Sequence, residues 1–554
     1  MKTLIFTTFL LLFTHEILPQ FTSSNLPIIV INTNGGVIVD DEKIPADMGV
    51  IYNGEGIRNN LSDPFNHYNG KIGIEFRGSS SQQFPKKPYA IETRDSTGEN
   101  LNVMLLGMPS ENDWVFNAEY NDKTMMRDVL VYDMARTTGS YASRTRYFEF
   151  VLNNEYVGTY VLMEKIKQDK GRVNIKGLDP DDIDGDNLTG GYIIKVDKLD
   201  GEDNGWWTST YPPFAGCPFP TKYQFHIPKP ADIVPQQVNY IKSFITNFES
   251  VMNSPTFEDT ATGYPKITDE MSFVDFFLIN EVAKNVDGYR LSSFMYKDRD
   301  SKNPKLVMGP VWDFNIALGN ANYYDGWLQN GWELQYLTSE PSFLNGGDQF
   351  QVPFWWKKLF ESQRFKSKVK ERWAELKTGA LNKDRIFAKI DSLVTYLNES
   401  QIRNFQRWPI LNQYVWPNYY IGNSYANEIT YLKNWINGRL LWMNSAINLF
   451  TTVNDESQIP VSELMISNYP NPFNPSTTIE YSIPSDGYLK IDVFTADGRQ
   501  LKTVFEGNVQ SGRYNKDLNF GEINASSGVY IAVIKFVSES GPVNIKSTKL
   551  MLLK

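Results

Sequence analysis

A single cysteine, Cys217, is present in 554 residues. One thiol excludes an intrachain disulfide framework, and no Cys/His cluster with metal-ligand spacing exists. Histidine is nearly as scarce: His15, His67 and His226 are the only three, too few for a His-dependent hydrolase or a zinc centre. After the first residues, no apolar run is long enough to span a bilayer, so the mature chain is expected to lack a transmembrane segment. Basic residues are outnumbered, and the net charge of −10 is the wrong footprint for a nonspecific nucleic-acid binder. The chemistry left to the chain is that of carboxylates and lysines.

Hydrophobic residues make up 41% and aromatics 14% of the sequence, ample for packed cores, and the length calls for two or three domains. Lys2 followed by the apolar run Leu4 to Phe13 has the pattern of a secretory signal, placed at residues 1–22. Extended segments follow at Leu26 to Asn32, Ile72 to Arg77 and the strand after Pro88. A hairpin is predicted from Tyr147 to Met163 about Asn153-Asn154. The acidic stretch Asp179 to Gly191 fails the calcium-loop template, because Pro180 occupies the first ligand position. Helical periodicity takes over at Asp122 to Arg136, Pro235 to Asn253, Asp269 to Lys284, Phe354 to Gly379 and Ile386 to Asn398. A strand-rich half before a helix-rich half predicts a bilobal α+β enzyme over residues 26–450 with its site in the cleft. A polar linker at 451–465 leads into residues 466–554, whose short strands are separated by Asp497-Gly498, Ser511-Gly512 and Ser527-Gly528. They predict a small all-β sandwich.

The most informative stretch runs from Asn280 to Asn320. An apolar helix ends in a polar loop carrying Asp287; a strand from Ser293 to Tyr296 follows, and a second acid, Asp313, stands between Trp312 and Phe314. Read as extended chain, Asp313 faces away from its aromatic neighbours, and an ionised acid there needs a cation or donors. A loop base and a metal-holding carboxylate are spaced in this manner in phosphoryl transfer. Spacing alone fits turn or cap residues equally well, since Asp287-Gly288 is an ordinary turn signal.

The block Asn285-Val286-Asp287, with Gly309-Pro310-Val311-Trp312-Asp313-Phe314 and Gly319-Asn320, resembles the spore-coat-protein-H (CotH) kinase family of atypical protein kinases. Upstream, Arg77-Gly78-Ser79-Ser80, Pro85-Lys86-Lys87-Pro88-Tyr89, Arg127-Asp128 and Gly158 to Glu164 resemble further elements of that family. The C-terminal Tyr469-Pro470-Asn471-Pro472-Phe473-Asn474-Pro475, with Gly528-Val529-Tyr530 and the basic-apolar terminus, resembles the type IX secretion C-terminal sorting domain (type A).

The first resemblance implies an atypical protein-kinase-like fold and an exported enzyme that uses ATP and Mg²⁺ to phosphorylate Ser or Thr of secreted or surface proteins. Asp287 would be the catalytic base and Asp313 the metal ligand, with Asn315 beside it where aspartate is frequent. Arg77 and Lys87 would clamp phosphate. Arg127 would orient an acid or phosphate, and Glu164 would mark the adenine-holding hinge. The lysine pair also fits an edge strand protected against aggregation, and Arg127 also fits a surface helix. Leu291-Ser292-Ser293 stands where asparagine is common, so one metal ligand of the family pattern is missing. The second resemblance implies the type IX machinery as a partner and a secreted or surface location reached through the periplasm. The competing expectation is a catalytically weak surface adhesin or carbohydrate-binding protein on the same fold.

Overall fold

The computed structural model describes residues 21–40, 42–199, 205–450, 464–509, 512–521, 523, 525–538 and 543–553. The expected signal segment lies outside the described residues as far as residue 20, and so does the expected linker at 451–465 as far as residue 463. Phe21 and Thr22 already belong to the fold: Phe21 stacks on Tyr156 at 4.8 Å, and the Thr22 carbonyl accepts from Leu61 N–H at 2.7 Å. The chain divides into two compact units near residue 452.

The first unit opens with a closed barrel of strands β1 (Ile28–Asn32), β2 (Ile44–Ile51), β3 (Tyr68–Phe76), β4 (Tyr89–Arg94), β5 (Asp113–Asn117), β6 (Thr145–Leu152) and β7 (Glu155–Glu164). Their order is β1-β2-β3-β4-β5-β7-β6. The parallel pairing of β1 with β6, Ile28 opposite Glu149, closes the ring and leaves no exposed edge. Alternate residues point inward: Ile29 and Ile31, Ile72 and Ile74, Phe148 and Phe150 share one buried cluster with Phe116 and Tyr160. Burying each contributes roughly 1.5–3 kcal/mol. Asn153 and Asn154 both have positive φ, +51° and +66°, which is the turn that matches strand twist in a two-residue hairpin.

Helix α1 (Arg127–Thr137) starts five residues later than its periodicity suggests. The Asp122 carboxylate caps it from outside, accepting from the N–H groups of Thr124, Met126 and Arg127 at 2.9, 3.0 and 2.8 Å. These satisfy donors that a helix start leaves unpaired.

An antiparallel sheet follows, from β8 (Tyr192–Val196), β9 (Trp206–Thr208), β10 (Lys222–Ile227), β11 (Ser293–Lys297) and β12 (Leu306–Met308), in the order β9-β10-β8-β11-β12. Helices α2 (Pro235–Asn253) and α3 (Glu270–Ala283) stand where the sequence places them. Asp269 caps α3, accepting from Ser272 N–H at 3.1 Å. Apolar residues cover α3 on every side, and Phe273, Val274, Phe276, Phe277, Leu278 and Ile279 are all buried, as expected of a central helix. The helical stretch expected from Phe354 to Gly379 is formed by α4 (Phe354–Glu361) and α5 (Gln363–Leu376); Ser362 separates them, its hydroxyl accepting from Phe365 N–H at 3.0 Å. The unit closes with α6 (Lys383–Tyr396) and α7 (Tyr425–Asn448). One expectation fails: Trp312 to Phe314 is not extended, because Asp313 has φ +66°, left-handed rather than strand.

The second unit is all β: β13 (Met465–Tyr469), β14 (Ser476–Ile483), β15 (Gly487–Thr495), β16 (Gln500–Val509), β17 (Gly512–Asn519), β18 (Gly528–Ser538) and β19 (Val543–Leu552). They form two sheets, β13-β14-β17 and β16-β15-β18-β19. Ile479, Ile491, Leu518, Ile534, Phe536 and Leu550 meet in one core between them.

Candidate functional site

Helix α3 leaves its axis at Lys284, φ +45°, and the chain turns back onto the last helical turn. Asn285 N–H donates to the Asn280 carbonyl at 3.1 Å, and Asp287 N–H to Asn285 Oδ1 at 3.2 Å. A Cβ on Gly288 would lie 2.7 Å from Asn280 Oδ1 and 2.9 Å from the Asn285 carbonyl, so this turn closes only around glycine. Arg290 fixes the acid. Its Nη2 donates to Asp287 Oδ1 at 2.8 Å, Nη1 to Asp348 at 3.0 Å and Nε to the Val286 carbonyl at 3.1 Å. The guanidinium is buried against the rings of Tyr324 and Phe343, each 5.4 Å away.

Asp313 is held by α1. Left-handed backbone at a non-glycine residue costs on the order of 1 kcal/mol and persists only where the surroundings enforce it. Here Asp313 N–H donates to Tyr132 Oη at 3.1 Å and Phe314 N–H to Asp128 Oδ1 at 2.6 Å. Arg127 Nε donates to the Ala317 carbonyl at 3.1 Å, and the Tyr132 ring stacks on Trp312 at 6.0 Å. Asn285 Nδ2 reaches the Asp313 carbonyl at 3.4 Å, joining the two acidic segments directly.

The Asp313 side chain is open to solvent by area, yet protein surrounds it in depth. Its carboxyl is pushed up to about 6, first by burial, then by Asp287 and Asp197, against the pull of Arg77 and Lys198. Two segments thus converge with Asp197, just past β8, and with two cations. Arg77 lies 5.9 Å over the Trp312 ring. Lys165, at the exit of β7, is lowered by burial, and Arg77 is among the cations that press on it. Behind Asp313 the charge is one-sided. Burial, then Asp313, pushes Asp128 up to about 8, and burial, then Asp128 and Asp122, raises Glu119 well above the carboxylate range. Glu119 Oε2 is buried with no hydrogen-bond partner among the described residues.

Of the residues singled out in the sequence, Asp287, Asp313 and Arg77 come together, and Asn315 follows in the same loop, its carbonyl accepting from Asn320 Nδ2 at 2.8 Å. Lys87 does not join them: its ammonium bonds the Gln82 carbonyl, within its own loop. Its neighbour Lys86 is the buried one, donating to the Thr159 carbonyl at 2.5 Å and Asn404 Oδ1 at 2.9 Å. Arg127 is not a surface residue. It is 1% exposed and paired with Asp122, and reaches the site only by holding the Ala317 carbonyl. The Glu164 carboxylate is fully buried and paired with Arg144 at 2.9 Å and Arg172 at 3.3 Å. Sequence reasoning passed over Asp197, Lys198, Lys165, Tyr132, Asp128 and Arg290.

Among the described residues no group of three or more His, Cys, Asp or Glu is arranged to hold a metal. Mg²⁺ does not require one, since it is commonly held by one or two carboxylates completed by water and phosphate oxygens. The Asp313 carboxylate accepts no hydrogen bond among the described residues, and acids outweigh cations behind it. The oxygen donors present therefore fit a hard divalent cation.

Among the described residues, no helix is long and apolar enough to cross a membrane. A comparison with curated proteins finds no match. Residues 74–443, about two-thirds of the chain, match the family model of the CotH kinase protein, and residues 467–545 match that of the secretion system C-terminal sorting domain. The chain belongs to the CotH kinase family and carries the sorting domain of type IX export.

Proposed function

We propose that this chain is an exported phosphotransferase that moves the γ-phosphoryl group of ATP to a Ser or Thr hydroxyl of a secreted or surface protein. It would act in a bilobal, kinase-like arrangement, the barrel with α1 forming one lobe and the sheet with its helices the other. The observation that carries the reading is the convergence of Asp287 and Asp313 with Arg77 and Lys198.

Asp313 would hold Mg²⁺, assisted by the Asn315 amide oxygen; a bound Mg²⁺ supplies charge neutralisation at the transferred phosphate. Arg77, Lys198 and Lys165 meet phosphate charge from the other side as fixed cations. Asp287, oriented through Oδ1 by Arg290, accepts the acceptor hydroxyl's proton as its oxygen attacks phosphorus. Lys87 enters this scheme only after exchanging its Gln82 partner for phosphate.

Incubating the purified mature chain with Mg·ATP and reading autophosphorylation and added secreted proteins by mass spectrometry tests the proposal. Phosphate on Ser or Thr that disappears with Asp287→Asn supports it; a chain that binds Mg·ATP and transfers nothing to any hydroxyl contradicts it.

A second reading, a catalytically weak adhesin or carbohydrate binder, is favoured by one feature. Trp416 and Tyr419 are 47% and 50% exposed, and their rings are held flat against Tyr323 at 6.0 Å and Trp327 at 5.2 Å. Glycan binding lost in Trp416→Ala, in a chain without transfer activity, would support it.

A further inference from the structure

Asp287 and Asp348 share one guanidinium. Arg290 gives Nη2 to Asp287 Oδ1 at 2.8 Å and Nη1 to Asp348 Oδ2 at 3.0 Å and the Phe350 carbonyl at 3.2 Å, while its Nε is taken by the Val286 carbonyl at 3.1 Å. The Arg290 side chain is 3% exposed and has no room to turn out to solvent. That of Asp287 is 25% exposed, and its Oδ2 accepts no hydrogen bond among the described residues. An arginine facing a single carboxylate closes its fork on both oxygens. Here the fork is split between two acids, and one oxygen of Asp287 stays open.

Asp348 stands 58 residues beyond Arg290 and is itself held in place. Its Oδ1 accepts Phe350 N–H at 2.8 Å, its carbonyl accepts from Gln351 Nε2 at 2.7 Å, and its Oδ2 accepts from Tyr324 Oη at 3.0 Å as well as from Arg290. Tyr324 and Asp325 both have left-handed backbone, φ +50° and +56°, which a bulky residue keeps only where its surroundings enforce it. The Tyr324 ring packs against Phe343 at 4.9 Å and lies under the guanidinium at 5.4 Å, and its hydroxyl is fixed on Asp348.

We propose that Asp348 is a positioning residue for Asp287: by holding Nη1 of Arg290 it confines the guanidinium to one oxygen of Asp287 and leaves the other free to take the acceptor hydroxyl's proton. Without the Asp348 charge, Nη1 turns to Asp287 Oδ2, a two-pronged pair forms, and the base is occupied by the arginine. The placement of the guanidinium stands on its own; the consequence for turnover rests on the phosphotransfer reading.

Asp348→Asn keeps the side chain's size and an acceptor for Phe350 N–H while removing the charge. Crystal structures of the mature parent and variant read the arrangement directly: one Asp287 oxygen within hydrogen-bond distance of Arg290 in the parent, two in the variant. Kinetics read the consequence. The expected result is kcat about tenfold lower in Asp348→Asn at an unchanged KM for Mg·ATP, with no further loss when Asp348→Asn is added to Asp287→Asn, where no base is left to obstruct. Tyr324→Phe, which removes only the hydroxyl donated to Asp348, carries the same tests should Asp348→Asn not fold. A variant guanidinium still on one oxygen, a loss expressed in the Mg·ATP KM instead of kcat, or a loss that persists in the Asp287→Asn background would each overturn the proposal. A parent that transfers no phosphate defeats the enzymatic reading, and the crystallographic comparison still decides the placement of Arg290.

Discussion

Asp128 Oδ1 accepts the Phe314 N–H at 2.6 Å, so a helix in the first half of the chain sets the backbone beside an acid in the second. An asparagine at this position offers an amide oxygen that accepts the same hydrogen bond. Asp128→Asn should therefore preserve nucleotide affinity and leave stability about equal near neutral pH, where the raised Asp128 carboxyl is already largely protonated. Asp128→Ala strands a buried N–H and should cost roughly 1–3 kcal/mol in urea unfolding. It should also weaken Mg·ATP binding. Equal behaviour of the Asn and Ala variants would show that the hydrogen bond does not position Asp313.

Glu164 separates bracing from binding. Its carboxylate is fully buried between Arg144 and Arg172, and Glu164→Gln should destabilise by about 3 kcal/mol, the scale for breaking a buried pair from one side. Where the variant remains folded, Mg·ATP affinity should match the parent. Lost affinity at unchanged stability, measured by calorimetry alongside urea melts, would make Glu164 a ligand contact.

These positions show how far the sequence reaches. Local signals survived folding: the Asn153-Asn154 turn and the limits of α2 and α3 all depend on neighbours in the chain. The pair Asp287 and Asp313 was visible because each sits in its own short motif. Asp197 and Lys198 were not, since they reach Asp313 only through pairing of β8 with β11, Val196 opposite Ser293. The choice between Lys86 and Lys87 was equally hidden: which ammonium is buried depends on Asn404, more than three hundred residues away. The left-handed φ of Asp313 is enforced by Tyr132 and Asp128, so reading its neighbours as a strand gave the wrong backbone. The 24-residue helix α7 escaped notice because its apolar face is interrupted by the buried Glu428 and Arg439.

Glu249 gives a pH signature. Burial pushes its carboxyl up to about 7 although Ser209 and Tyr223 donate to it at 2.8 Å. An acid whose pKa is higher in the folded state binds more protons there, so its contribution is present at low pH and is lost as pH rises from about 4.5 to 7. The loss is of order 3 kcal/mol at 1.36 kcal/mol per unit. Glu249→Gln should flatten this part of the curve. Unfolding free energies of parent and variant at pH 5 and pH 8 check it, and parallel curves would rule it out.

The sorting unit should be dispensable for ligand binding and necessary for export. A chain ended at Ser462 should bind Mg·ATP as the full chain does, since the second unit has its own core. In the native host it should remain in the periplasm, while a signal peptide and carrier fused to Ile466–Lys554 should leave the cell. Fractionation with immunoblotting decides; a truncated chain found outside the cell would remove the sorting role.

The division of labour between the two acids is tested most directly by titrating Mg·ATP into the parent, Asp313→Asn and Asp287→Asn, with and without EDTA, by isothermal calorimetry. The expected result is metal-dependent binding in the parent, its loss in Asp313→Asn without loss of fold, and its retention in Asp287→Asn, whose defect lies in transfer alone. Binding of Mg·ATP by Asp313→Asn as tight as by the parent would contradict the assignment of Asp313 to the metal.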